Sequence, residues 1–480
     1  MLSKAHIIGF YIAGILAIVL SVLLVKANIY FAPVIPIFFF LVYGAFYHTD
    51  KVIWIIAFFT PLSINTLDVG FGLGLSAPTE PLIGLVFCLI IFRLAIGGKV
   101  PMEIIKHPLV IFVSINLVWM LISVIGSTDV IVSLKFFISR VWYVSIFFFT
   151  LIFLFKEKKN IEKFIWALIL GFTCLVIYTT VQHAMEGFVL SHNFFIMEPF
   201  YPDHGMYAAS IAFMVPITGL LFYYGKSLNY SLMLRFLLFT IFVLLIVGIV
   251  FSFTRATWVS LAGALAILAL IIFKVKFKYL LMGMGLALIV FAVKQDQIMY
   301  QLSANKQGSV SDFEGHVESI GNISTDPSNM ERINRWKSAV RMYIDKPILG
   351  FGPGTYVKEY GAYQSTEDLT IISTFSGDLG NAHSEYFSAL TETGTIGFIT
   401  WVGIFLLSLF YGFKLYFSSK DIKSKVFSLA AILSLSTYYI HGFLNNYSDY
   451  DKIAIPLWGL LAVLVALDLY HSKPKEEVNN

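Results

Sequence analysis

His383 is the histidine best placed for chemistry, in the run Asn381-Ala382-His383-Ser384 at the mouth of an apolar segment. An unperturbed imidazole titrates near pH 6.5, so at neutral pH it can take a proton from a hydroxyl. A helix-end histidine with no chemical task is the bland alternative. Arginine is the complementary group, because a guanidinium stays charged and its fork meets phosphate oxygens two at a time. Arg255 and Arg332 are the leading candidates, with Arg335 third. Arg255 stands out by position alone, since it sits between two apolar runs with almost no loop around it. A charge at the centre of a membrane helix costs about 2.5–3.5 kcal/mol on insertion scales and less near the interface. Its competing reading is snorkelling to the headgroups. Arg140 lies near another span end, where an interfacial anchor is an equal reading.

The stretch before His383 offers Asp378 but no paired carboxylate, so no metal site is expected. Glu385 and Glu392 flank the start of the helix that follows. Glu392 is a candidate to orient His383 or a substrate, with helix packing as the alternative. His192, Glu198, Asp203 and His204 form a polar turn, without metal-ligand spacing, that could line a substrate groove. Trp336, Tyr356 and Tyr386 could stack on sugars, against a background of membrane packing and interfacial belts. Cys88 and Cys174 fall inside apolar segments and read as small buried hydrophobes, not as a disulfide or a metal site.

The elements that must position these residues are membrane helices. The chain is 58% hydrophobic and 13% charged, against about 25% charged in a soluble domain. Mean hydropathy is +0.81. Apolar runs fall near residues 8–25, 29–47, 52–66, 80–97, 108–126, 142–155, 164–186, 206–224, 236–254, 257–273, 279–293, 386–413, 426–444 and 455–470. The run 52–66 is the weakest, being short and carrying Pro61. An all-α integral membrane protein of about 12–14 transmembrane helices is expected. Residues 1–293 read as an N-terminal bundle, 294–385 as a long loop, 386–471 as C-terminal helices and 472–480 as a tail. The first run, 8–25, reads as a retained span and not as a cleaved leader.

Lys and Arg concentrate in alternate short loops, including Lys156, Lys158, Lys159, Lys274, Lys276, Lys278, Lys420 and Lys423. The opposite loops hold Lys26, Lys135, Arg140, Arg255 and Lys452. The positive-inside rule then places both termini in the cytoplasm and loops 187–205 and 294–385 outside. A glycine-lysine nucleotide loop is not seen, which argues against nucleotide-driven pumping.

The long loop changes character at Asn329. Its first part is rich in Ser, Gly, Asn and Asp and reads as irregular. The second part places Ile333, Trp336, Ala339, Val340 and Tyr343 on one helical face, with Arg332, Arg335, Lys337 and Arg341 around it. An amphipathic helix lying on anionic headgroups is one reading of this pattern. Pro347 ends the helix, and Gly350-Phe351-Gly352-Pro353-Gly354-Thr355-Tyr356 makes a tight turn, for which turn chemistry alone would account for Gly352 and Gly354.

Three pieces in this order resemble the O-antigen ligase and O-antigen polymerase superfamily of polytopic bacterial membrane glycosyltransferases. Arg332-x-x-x-Trp336-x-x-Ala339 runs into Pro347-Ile348-Leu349-Gly350-Phe351-Gly352-Pro353-Gly354-Thr355-Tyr356. His383-Ser384 is followed, after nine residues, by Gly394-Thr395-Ile396-Gly397. Ser252-Phe253-Thr254-Arg255-Ala256 is similar to the family's S-x-[ST]-R-[GA] at the outer end of a span. The hydropathy profile extends the likeness to the whole chain.

The resemblance implies a GT-C-like fold and a metal-independent transfer that needs no cofactor. A glycan on a polyprenyl diphosphate, normally undecaprenyl diphosphate, would pass to an acceptor hydroxyl on the periplasmic face of the inner membrane. His383 would be the general base, and Arg255 and Arg332 would meet the diphosphate. Arg335, Arg140, Gly352, Gly354, Ser384, Glu392 and Tyr356 would bind substrate. Ser384 and the Gly-x-x-Gly spacing fit the ligase form, with lipid A-core as acceptor. A repeat-unit polymerase or a protein O-oligosaccharyltransferase shares the motifs. A lipid-linked glycan transporter would show paired intramembrane charges and inverted repeats, and a scaffold leaves Arg255 and His383 unexplained. The partners implied are the lipid-linked donor, the acceptor and the bilayer, with no nucleic acid.

Overall fold

The computed structural model describes residues 4–27, 34–66, 75–188, 193–283, 285–286, 289, 327–370, 373 and 380–472. His192, Asp378, the irregular first part of the long loop, nearly half of the apolar run 279–293 and the tail lie outside these residues. The N-terminal part comprises α1 (Lys4–Lys26), α2 (Val34–Tyr47), α3 (Thr49–Phe59) and α4 (Thr79–Ala95). Then come α5 (Pro108–Ile125), α6 (Val130–Leu154), α7 (Lys158–Met185), α8 (His204–Tyr223), α9 (Leu232–Phe251) and α10 (Arg255–Ile272). The loop helix α11 (Pro327–Asp345) follows. The last three are α12 (Glu385–Ser418), α13 (Ile422–His441) and α14 (Asp451–His471). Among the described residues, eight of these helices are long and apolar enough to cross a membrane. The chain is a multi-pass, all-α membrane protein.

Polar caps set several helix starts. Asp129, Asp203, Ser231, Ser384 and Asp421 each accept a bond from a backbone N–H of the first turn of α6, α8, α9, α12 and α13. The outer faces of α1 and α9 expose Ile12, Leu16, Leu232, Met233 and Phe236, as lipid contact demands. Helix α14 is the opposite case: every residue from Asp451 to Ala466 is buried. A helix apolar nearly all round belongs at the centre, and α14 packs there against α6, α12 and α13. Helix α10 runs along α13, and α12 along α5 and α13.

Three expectations change. The run 52–66 is not one span: α3 ends at Phe59, Pro61 sits in a 3-10 turn, and β1 (Ile64–Thr66) pairs antiparallel with β2 (Leu75–Ala77). Lys135 and Arg140 are not loop residues, because α6 begins at Val130 and carries both. Lys452 is likewise inside α14, where its ammonium donates to the Ser63 carbonyl at 3.1 Å and to the Ser63 hydroxyl at 2.7 Å. Cys88 and Cys174 are exposed on their helices, not buried.

Candidate active site

The site is assembled at one end of the bundle from four segments: α11, the turn before α12, the turn before α10, and the loop 442–450 between α13 and α14. His383 stands in that second turn with φ +45°, an unusual conformation for a side-chain-bearing residue. Its N–H donates to Asn381 Oδ1 at 2.9 Å, and its carbonyl accepts from Trp336 Nε1 at 3.5 Å. Burial, then the charges of Arg332 and Arg335, push the imidazole down to about 3, against a hydrogen bond shared with the Asn445 side chain. The ring is therefore neutral at physiological pH. Ser384 is buried and caps α12, its hydroxyl accepting from Phe387 N–H at 3.5 Å.

Arg332 reaches the loop 442–450, donating from Nε to the Leu444 carbonyl at 3.2 Å. Arg335 is buried and already engaged. Its Nε donates to Glu331 at 2.9 Å, a terminal nitrogen donates to the Asn381 carbonyl at 3.1 Å, and its guanidinium lies 5.5 Å from the Tyr360 ring. It holds the His383 turn against α11. Burial would raise the Glu331 carboxyl, but bonds from Ser373, Arg335 and Thr370 outweigh it and hold the group below its ordinary value.

Arg255 opens α10 after Phe253, which has φ +51°. Two paths tie this helix end to His383. Thr257, one turn into α10, lies 3.4 Å from His441 Nδ1, and His441 Nε2 lies 3.0 Å from Asn445 Nδ2. Thr254 donates to the His204 carbonyl at 3.2 Å, and His204 Nδ1 lies 3.0 Å from both Ser252 O and Thr254 Oγ1. From the neighbouring Asp203, Tyr447 leads back, donating to Asp203 at 3.2 Å and to Asn445 at 3.4 Å. Left-handed residues thus flank or form both motif positions, a cost of about 1–3 kcal/mol each that persists only where the surroundings over-determine it.

The loop 442–450 was missed by sequence reasoning. Its anchor is Glu385, which accepts from Ser448 N–H and Ser448 Oγ, both at 2.8 Å, and from Tyr438 OH. The signal was available as His441-x-x-x-Asn445-Asn446-Tyr447-x-Asp449, a polar run between two apolar spans.

The remaining predicted residues gather next door. Arg140 donates to Asp449 at 2.9 and 2.5 Å and to Ser448 Oγ at 3.1 Å, and lies 5.5 Å from the Trp401 ring. Arg140, Gly354, Tyr356 and Glu392 line one cavity of about 330 Å³. Glu392 accepts from Tyr356 N–H at 3.3 Å. The Tyr356 ring stacks on Tyr360 and its hydroxyl donates to the Arg335 carbonyl at 2.8 Å. Trp336 stacks on Phe387 and Tyr386 on Phe443, so all three candidate sugar-stacking rings have protein partners.

The two glycine motifs are one joint. Phe351 and Gly352 donate from their N–H groups to the carbonyls of Thr391 and Glu392, both at 2.9 Å, and Thr395 N–H donates to the Pro347 carbonyl at 2.9 Å. Gly394 has φ +66°, and a Cβ there would lie 2.0 Å from the Ile348 carbonyl oxygen. At Gly352 it would lie 2.1 Å from Ser127 Oγ, so this glycine serves close packing on the start of α6. Gly394→Ala is therefore expected to cost more than the ~1–3 kcal/mol of left-handed strain alone. Thermal unfolding in detergent should show a midpoint several degrees lower; an unchanged midpoint would refute the close-approach account.

Among the described residues no group of three His, Cys, Asp or Glu side chains could hold a metal ion. Residues 240–402 match the family model described as O-antigen ligase, a stretch that contains Arg255, Arg332 and His383. The loop 442–450 lies beyond it. No curated protein matches the chain.

Proposed function

We propose that this chain, which matches the O-antigen ligase family model over residues 240–402, moves a glycan from a polyprenyl diphosphate to an acceptor hydroxyl at the end of the bundle that holds His383. Undecaprenyl diphosphate is the carrier, and that end faces the periplasm, with both termini in the cytoplasm. Lipid A-core is the acceptor in the ligase form favoured by His383-Ser384 and Gly394-x-x-Gly397. The observation that carries the reading is a neutral histidine lying under the charges of Arg332 and Arg335 and tied by short contacts to the helix end that bears Arg255.

The acceptor oxygen attacks the anomeric carbon, the bond from that carbon to the diphosphate oxygen breaks, and the hydroxyl proton passes to His383. The leaving electron pair stays with the diphosphate, whose charge Arg332 and Arg255 neutralise. Donor binding also tunes the base. Free enzyme keeps His383 at about 3, and a bound diphosphate offsets the guanidinium charges, so the imidazole becomes more basic when there is work for it. Only the neutral ring accepts a proton, so rate falls as pH drops through its pKa. The acid limb of kcat, set by the donor complex, is expected at higher pH than that of kcat/KM, set by the free enzyme. Coincident limbs would refute the coupling.

Deleting the gene and examining the lipid carrier tests the reaction itself. Long polymer left on the carrier is the expected result and identifies a ligase. Single repeat units would identify a polymerase, and normal surface glycan with an unloaded carrier would overturn glycosyl transfer.

A further inference from the structure

The cavity beside His383 has a charge pattern unlike that of the arginine cluster. Its walls come from α5, α6, α12, the glycine turn and the loop 442–450. Three carboxylates, Glu385, Glu392 and Asp449, line it beside a single arginine, Arg140, which pairs with Asp449, so acceptor oxygens outnumber cationic donors. Asn446 adds another acceptor: its Oδ1 is shielded and has no hydrogen-bond partner among the described residues, while its Nδ2 donates to Ser388 Oγ at 3.2 Å. A shielded acceptor without a donor is costly unless a ligand or water supplies one. Trp401 gives one wall an aromatic face. A volume of about 330 Å³ sits at the small end of the roughly 300–1,000 Å³ seen for ligand sites.

Such a chamber offers a diphosphate only one cation, already paired with Asp449, and suits a compact, uncharged ligand rich in hydroxyl donors. The donor sugar is covalently joined to its diphosphate and must stay beside the arginines. Arg332 is not among the cavity walls, whereas Asn381, whose side chain accepts the His383 N–H, is one. We propose that this cavity is the subsite for one uncharged monosaccharide unit of the acceptor glycan, held by Glu392, Asp449 and Asn446, with its reacting hydroxyl delivered past Asn381 to His383. The assignment to the acceptor rests on the transfer reaction proposed above; the class of ligand does not.

Two measurements on the full chain in lipid nanodiscs test it. In saturation-transfer NMR with neutral methyl hexosides and methyl N-acetylhexosaminides, wild-type protein is expected to bind at least one of them. Inorganic pyrophosphate should not displace it, and Arg332→Ala should retain it. Ala389→Trp, which fills the cavity, should abolish binding. Glu392→Gln, which keeps shape, should weaken it at least tenfold, and decides the matter if Ala389→Trp does not fold. No glycoside bound, displacement by pyrophosphate, or unaltered binding in Glu392→Gln would each overturn the subsite. In the transfer assay, Glu392→Gln should raise the acceptor KM at least tenfold and leave the donor KM unchanged; an unchanged acceptor KM would overturn the acceptor assignment. Glycoside binding as described, in a protein that transfers nothing from a lipid diphosphate, would refute the proposed function and leave the sugar site standing.

Discussion

His383→Asn is expected to lower kcat by about 10²–10⁴-fold, the range that general-base catalysis supplies, while the protein stays folded. Asparagine is the informative replacement. It tolerates the left-handed backbone that His383 adopts at φ +45° better than alanine does, and its amide cannot accept a proton at neutral pH. The neighbouring contacts of the turn, from Asn381 and Trp336, involve the His383 backbone and survive the change. Initial rates of glycan transfer by purified protein in nanodiscs, with the unfolding midpoint measured on the same sample, separate chemistry from folding. A variant that turns over at the wild-type rate would remove His383 from the reaction. Loss of activity with a collapsed midpoint in the asparagine variant would mean that the ring is needed for assembly instead.

Arg255→Ala carries the second large effect. Removing one preorganised donor to a developing negative charge typically costs about 10²–10³ in kcat, and Arg255 is expected to fall in that range. Arg255→Lys keeps the charge but loses the planar fork, so it should recover only part of the rate. The two-sided prediction matters because snorkelling to headgroups needs only a charge on a long stem. Full rescue by lysine would favour that bland role. Wild-type turnover in Arg255→Ala would exclude contact with the leaving diphosphate.

The motif residues were legible because each breaks a local rule. Arg255 is a charge between apolar runs, and His383 is a polar residue opening a membrane helix. Contacts from distant segments hold both helix ends, Thr257 meeting His441 and the His383 carbonyl meeting Trp336. The lysines of alternate loops and the apolar runs likewise made a membrane bundle readable, because lipid leaves few other ways to satisfy a backbone. What resisted reading was partner choice. Arg335 looked like a phosphate ligand because its ion pair with Glu331, one helical turn away, is indistinguishable in sequence from a surface pair. Arg140 read equally as an interfacial anchor or a substrate ligand because its partner, Asp449, lies 309 positions further on. Gly352 looked like turn chemistry and Gly394 like part of a motif, and both are points where two segments touch. The loop 442–450 was overlooked since a short polar run between two spans is the ordinary appearance of a connection. The run 52–66 misled for a simpler reason: average hydropathy does not register that Pro61 lacks an N–H to donate.

The wholly buried α14 has a consequence for how the protein is made. Ribosomes deliver this helix after the helices that surround it, so its slot must stay open, or be filled by lipid, until residues 451–471 have been made. Because the loop 442–450 is strung between α13 and α14, the placement of Asn445 and Asp449 depends on both helices. A molecule whose translation stalls shortly before residue 451 would present arginines and histidine without the loop that gathers them, and would have a hollow centre for membrane quality control to recognise.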